Sequence, residues 1–131
     1  MITSNSNVAA GRRLENMRVL VVEDEALVGM LLDDMLQDIG CESVQLASRF
    51  DEAMRAAEQD EFGLAVLDVN LDGVSSLPIA DRLIELGIPL IFATGYGKSG
   101  LDSRYANIPT LQKPFFFADL ERVVQQALTA S

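Results

Sequence analysis

Apolar residues arrive along this chain in short runs separated by segments of helical period. Arg18–Val22 (RVLVV), Ser43–Ala47, Gly63–Asp68, Pro89–Ala93 and a weaker run, Ile108–Gln112, read as strands. Ser43–Ala47 alternates through Val44 and Leu46, as a half-buried edge strand would. Glu25–Ile39 places Val28, Leu31, Leu32, Met35 and Ile39 on one helical face, and Gly40 can end that helix. Ser48 followed by Asp51 resembles a capping box ahead of the stripe Phe50, Ala53, Met54 and Ala57. Ser76 can cap a helix with Pro78 in its first turn and Gly87 closing it. The last helix, about Ala118 to Ala130, spaces Leu120, Val123, Val124, Ala127 and Leu128 on one face. Gly95–Asn107 has three glycines and little periodicity, which suggests a short or mobile helix.

Strands alternating with helices imply a parallel sheet covered on both faces, the α/β class. Right-handed crossovers restrict the topology, and five βα units fit a flavodoxin-like, doubly wound (βα)5 sheet of order 2-1-3-4-5. Ligands of such sheets bind beyond the carboxyl ends of the strands where the order reverses, between the first and third strands. The residues just after each strand are therefore the ones to read for chemistry.

Those residues form a set. Glu23 and Asp24 follow the first strand, Asp68 ends the third, Thr94 and Gly95 follow the fourth, and Lys113 with Pro114 follows the fifth. In FGLAVLDVN, an apolar run built for burial stops on Asp68, and a buried carboxylate is costly unless something pairs with it. Three converging acids repel one another, which favours a hard divalent cation with oxygen ligands. Magnesium takes one or two carboxylates plus phosphate oxygens and suits a phosphoryl-transfer site. Lys113 can hold a carboxylate at rest and a phosphoryl oxygen later, Thr94 can donate its hydroxyl to another, and Gly95 leaves the approach open. Asp68 is then placed as an in-line nucleophile that forms an acyl phosphate. Singly, each residue reads as a turn or cap, but their joint placement at four strand ends is hard to explain that way.

Composition narrows the field. A length of 131 residues with 49% apolar content suits one globular domain. The net charge of −10, with only Arg12 and Arg13 adjacent, argues against nucleic-acid partners. The chain has no histidine, which excludes histidine kinases, His-dependent hydrolases and His-ligated zinc. Its one cysteine, Cys41, excludes disulfide scaffolds and Cys-cluster metal sites, and reads as a small residue near a strand start. No apolar run approaches membrane-spanning length and the N-terminus lacks a signal-peptide core, so a cytoplasmic location is expected. Residues 1–16 read as a flexible tail, 17–131 as the domain, with no output domain after the last helix.

At VLVVEDE, LAVLDVNLDG, IFATGYG and QKPF the sequence resembles the receiver domain of two-component response regulators, over about Arg18 to Ala130. The resemblance implies that Glu23 and Asp24 are an acidic pair. Asp24 and Asp68 would ligate Mg²⁺ by their side chains, Asn70 by its backbone carbonyl and Glu23 through water. Asp68 would be the phosphoacceptor, Thr94 the switch hydroxyl and Lys113 the family's lysine, with a cis peptide between Lys113 and Pro114. Three departures stand out. The family's switch aromatic falls on Thr110, the loop after Asp68 reads NLDG without a proline, and the fourth-helix region is short and glycine-rich. With FATGYG itself, these features resemble the single-domain subgroup named for its Phe-Ala-Thr-Gly motif, in which Gly95–Asn107 would order or reorder on phosphorylation.

The resemblance implies a signalling module, not an enzyme beyond assisting its own phosphorylation and dephosphorylation. Its partners would be a histidine kinase or histidine phosphotransferase and a downstream protein, with no nucleic acid and no membrane. Asn70, Gly95 and Tyr96 flank the site and would tune hydrolysis, Tyr96 by shielding the acyl phosphate from water. Of Phe115, Phe116 and Phe117, not all can face the core at one turn, and Phe116 is the candidate partner contact. An aspartyl-phosphate phosphohydrolase would need an acid where Asn70 stands. A pseudo-receiver that only binds, independent of phosphorylation, is the alternative, and the intact Asp24, Asp68, Thr94 and Lys113 argue against it.

Overall fold

Strand β1 (Arg18–Val22) sends Leu20 and Val22 to one side of the sheet and Val19 and Val21 to the other, the alternation of an extended chain. The structure, a computed structural model, describes residues 14–95 and 101–130. After β1 come α1 (Ala26–Ile39), β2 (Ser43–Ala47), α2 (Phe50–Gln59) and β3 (Leu64–Asp68). A small antiparallel hairpin follows, β4 (Asn70–Leu71) and β5 (Val74–Ser75), then α3 (Leu77–Glu85) and β6 (Leu90–Thr94). A 3-10 turn at Ser103–Tyr105, β7 (Thr110–Gln112) and α4 (Phe117–Ala130) complete the order.

The main sheet is parallel throughout, in the order β2-β1-β3-β6-β7. Counting only its own strands, this is the 2-1-3-4-5 arrangement expected from the alternation of elements. One face carries α2 and α3, whose Ala53, Ala57, Ile79 and Leu83 pack over Leu20, Ala65, Leu67 and Phe92. The other carries α1 and α4, whose Leu32, Leu36, Val124 and Leu128 cover Val21, Val66, Ile91 and Leu111. Every residue of β3 and β6 is buried, because helices cover both faces, and this is why those strands read as unbroken apolar runs.

Some local expectations change. The buried seam of α1 runs through Gly29, Leu32 and Leu36, while Leu31, read as core, is 44% exposed. Gly29 lies on that seam, where an added Cβ would stand in ordinary contact with Leu46 and Glu23 at 3.8 and 3.9 Å. On β2, Val44 packs into the core but Leu46 is 41% exposed at the sheet's edge. The box before α2 uses Glu52 instead of Asp51. Arg49 is the N-cap without a side-chain bond, and the Ser48 amide donates to Glu52 Oε1 at 2.9 Å. Gly40 and Gly87 do end their helices, at φ of 122° and 76°, angles that L side chains rarely adopt. Leu14, which the sequence reading placed in the tail, is 2% exposed in the α1–α4 core, so the packed unit starts before Met17. Within Gly95–Asn107, residues 96–100, Tyr96 among them, lie outside the described residues, and the part after them forms only the 3-10 turn, with Tyr105 buried. The Lys113–Pro114 bond is cis. Among the described residues, no helix is long and apolar enough to cross a membrane.

Candidate functional site

The carboxyl ends of β1, β3, β6 and β7 lie side by side, and each delivers a polar group. Asp68 is the last residue of β3, 8% exposed, with Ala93 as its register partner on β6. Thr94, one residue further, is 6% exposed, and its carbonyl accepts from the Lys113 amide at 2.9 Å, which ties the end of β7 to β6. The Lys113 ammonium then reaches back across the sheet to Asp68 Oδ2 at 3.1 Å and Glu23 Oε1 at 2.8 Å, with Glu25 Oε1 at 3.8 Å. The Asn70 amide donates to Asp68 Oδ1 at 3.1 Å.

Glu23, Asp24 and Asp68 each offer a carboxylate oxygen within 4.8 Å of the others. One ammonium cannot balance three such groups, and the excess of negative charge suits a hard cation. The Lys113–Glu23 contact is short but off the hydrogen-bond axis, so Glu23 Oε1 is buried with no aligned donor. An acceptor left in that state is suited to a water molecule on a nearby cation, which makes the set a fit for Mg²⁺.

Burial pushes the Glu23 carboxyl up to about 7, against the Lys113 contact and the Glu25 amide that pull it down, with the Asp68 charge adding to the rise. Burial alone would lower Lys113, but its close contact with Glu23 and the charges of Asp68 and Glu23 outweigh it and hold the ammonium above its ordinary value. Between pH 4.5 and about 7 the folded protein thus keeps a proton on Glu23 that the unfolded chain has released. This contribution to stability is complete below pH 4.5 and is lost as pH rises through about 7. In urea unfolding with a chelator present, the wild type should lose stability relative to Glu23→Gln across that window and run parallel to it above. A difference that is flat throughout would contradict the shift.

The structure therefore brings Glu23, Asp24, Asp68, Asn70, Thr94 and Lys113 to one edge of the sheet. Gly95 borders them, and among the described residues nothing lies within 4 Å of where a Cβ would stand. Tyr96 lies outside the described residues. Of the three phenylalanines after Pro114, Phe115 packs against the core, Phe117 is 36% exposed and Phe116 is 80% exposed.

Two residues at the site escaped the sequence reading. Glu25 was read only as a helix start, although its amide donates to Glu23 Oε2 at 3.1 Å and its carboxylate adds to the Lys113 environment. Ser76 was read as a helix cap, yet it makes no side-chain cap bond and its hydroxyl turns back to the Asp68 and Val69 carbonyls. The hairpin that makes this possible had a signal. Asp72 and Gly73 both have positive φ, 51° and 89°, and Asp-Gly between short extended pieces is a marker of such two-residue turns.

Comparison with known proteins agrees with this geometry. The family model for the response regulator receiver domain matches residues 19–125. The phyllosphere-induced regulator PhyR of Methylorubrum extorquens is 32% identical over 114 residues, covering 84% of this chain and 43% of PhyR. The chain spans about half the length of the curated relatives it matches. The solution structure of SdrG from Sphingomonas melonis superposes with a TM-score of 0.77 at 35% identity, covering 87% of this chain and 98% of SdrG. The response regulator TrrA of Thermotoga maritima, solved in complex with Mg²⁺-BeF, gives 0.74 at 28% identity, covering 85% of this chain and 98% of TrrA.

Proposed function

The chain belongs to the response regulator receiver domain family, and on that footing we propose that it accepts a phosphoryl group from a phosphohistidine onto Asp68. The observation that carries this is the Asp68 carboxylate at the end of a buried strand, with Lys113 at 3.1 Å and the oxygens of Glu23 and Asp24 within 4.8 Å. An Asp68 oxygen attacks phosphorus as the P–N bond to imidazole breaks. An O–P bond forms, and the departing imidazole keeps the electron pair and takes up a proton. Lys113 neutralises Asp68 before transfer and lies beside a phosphoryl oxygen after it. The Thr94 hydroxyl donates to another. Asp24, Asp68 and the Asn70 carbonyl would hold a Mg²⁺ ion, with Glu23 through water, and the ion would supply positive charge against the phosphoryl oxygens. Gly95 leaves room for the group, and Asn70, Gly95 and Tyr96 tune its hydrolysis.

The test is intact mass after exposure to a small phosphodonor. One added phosphoryl group that depends on Mg²⁺ is the expected result. No addition from the small donor or from a cognate kinase would leave phosphorylation-independent binding as the better reading. The FATGYG run (Phe92–Gly97), Thr110 in the place of a switch aromatic and the NLDG turn support the Phe-Ala-Thr-Gly subgroup.

Signalling then proceeds in the cytoplasm by protein contact, with a histidine kinase or phosphotransferase upstream and a protein target downstream. The exposed side chains support it. On α1, Leu27 is 80% and Met30 56% exposed, and Phe116 stands out at 80% beside the site's lysine loop. Phe116→Ala should weaken phosphotransfer from a partner while changing stability by no more than about 0.5 kcal/mol. A loss above about 3 kcal/mol in urea unfolding would instead make it a core residue.

A further inference from the structure

Ser76 occupies the N-cap position of α3 but does not cap it. It is fully buried, and its hydroxyl lies 2.5 Å from the Asp68 carbonyl and 3.1 Å from the Val69 carbonyl. Its amide donates to the same Val69 carbonyl at 3.0 Å. The rigidity of the peptide unit gives these bonds a reach beyond the backbone. The Val69 carbonyl and the Asn70 amide belong to one planar unit and point in opposite directions. Fixing the carbonyl on Ser76 therefore aims the amide on the other edge, and that amide is the one that holds Asp68 Oδ1 at 3.1 Å. The preceding peptide, with the Asp68 carbonyl on one edge and the Val69 amide on the other, also has a longer bond, 3.3 Å, from the Val69 amide to the Ala93 carbonyl. The Ser76 hydroxyl thus holds the Asp68–Val69 peptide and shares the Val69–Asn70 peptide with the Ser76 amide. With Oδ1 fixed this way, Oδ2 is left facing Lys113 at 3.1 Å.

We infer that Ser76 is a positioning residue for Asp68, setting the carboxylate's orientation for phosphoryl acceptance through the two peptides on either side of Val69. This rests on the proposed role of Asp68 and adds to it a residue eight positions downstream. Nothing in Ser76 touches the incoming group. Its effect falls on the rate at which bound phosphodonor reacts, not on how tightly the donor binds.

The experiment compares wild type with Ser76→Ala and Ser76→Cys, the latter close in volume but a weak donor, and with Ser76→Thr, which restores a hydroxyl. Acetyl phosphate is varied at saturating Mg²⁺, and amide hydrogen exchange at Asn70 is read by NMR on the same proteins without donor. The expected result is a fall of about tenfold in the saturated phosphorylation rate of the Ala and Cys variants, with half-saturation unchanged. Asn70 exchange should quicken by a similar factor, and Thr should recover both. Folded Ala or Cys variants with wild-type rate and wild-type Asn70 exchange would overturn the inference, as would failure of both to fold, which would make Ser76 a folding residue only. Should the wild type itself take up no phosphoryl group, the reading of Asp68 fails separately. Asn70 exchange would still show whether Ser76 holds the peptide.

Discussion

An Asp68→Asn protein is expected to take up no phosphoryl group under conditions where the wild type gains one. The carboxamide is a poor nucleophile, and the substitution removes negative charge from the cluster in which Glu23, Asp24 and Asp68 oxygens lie within 4.8 Å of one another. Loss of a nucleophile leaves only background reactivity, so the rate should fall by a factor on the order of 10³ or more. The fold should survive. After burial, the Asp68 charge is what raises Glu23, so its removal lets the Glu23 carboxyl titrate lower, and Lys113 still has Glu23 at 2.8 Å. Intact mass reads the uptake and far-UV circular dichroism reads the fold. A phosphorylated Asp68→Asn protein would mean that another side chain is the acceptor.

The second large effect is expected at the opposite side of β6. Tyr105 is 1% exposed and meets Phe92 edge to face, with ring centroids 5.6 Å apart and an interplanar angle of 79°. Its hydroxyl donates to Asp81 Oδ1 on α3 at 2.7 Å. Burial, followed by that carboxylate, raises the phenol's pKa, so it remains a donor. Arg104 closes the arrangement, 4.8 Å above the ring and 3.3 Å from Asp81 Oδ2. Tyr105→Ala opens a ring-sized cavity under α3 and should cost about 3–5 kcal/mol in urea unfolding. Tyr105→Phe keeps the ring and loses one bond to a carboxylate that water can reach, so about 1 kcal/mol is expected. An Ala variant within 1 kcal/mol of wild type would mean that the turn at Ser103–Tyr105 is not part of the cooperative unit.

The strand ends were legible because burial on both faces leaves a parallel strand no reason to carry a charge except at its tip. Asp68 after LAVL, and Lys113 and Thr94 at matching positions, stood out against that background. What was missed is what periodicity cannot express. Ser76 has the residue type and place of a cap, and only the return of the chain through the Asp72–Gly73 turn shows that its hydroxyl faces backwards. Tyr105 sits in a stretch without period, so no stripe marks it as core, and its partners Phe92 and Asp81 come from elements far off in sequence. The buried face of α1 differs by a small rotation, and Gly29, which lies on it, is invisible to a hydrophobic pattern. Leu14 belongs to a polar stretch whose composition outweighed one apolar side chain.

The order of the sheet also bears on how the protein is made. The strands that meet at its centre, β1 and β3, are separated in the chain by two crossovers, and the Lys113–Asp68 contact joins residues 45 apart. Each such pairing requires loop closure before it is rewarded, so the central pair and the β6–β7 edge form late compared with local helix and hairpin structure. The cluster at the carboxyl edge is assembled only when all these closures have been made. A nascent or partly unfolded chain therefore carries the acids and the lysine without the cluster they form in the fold.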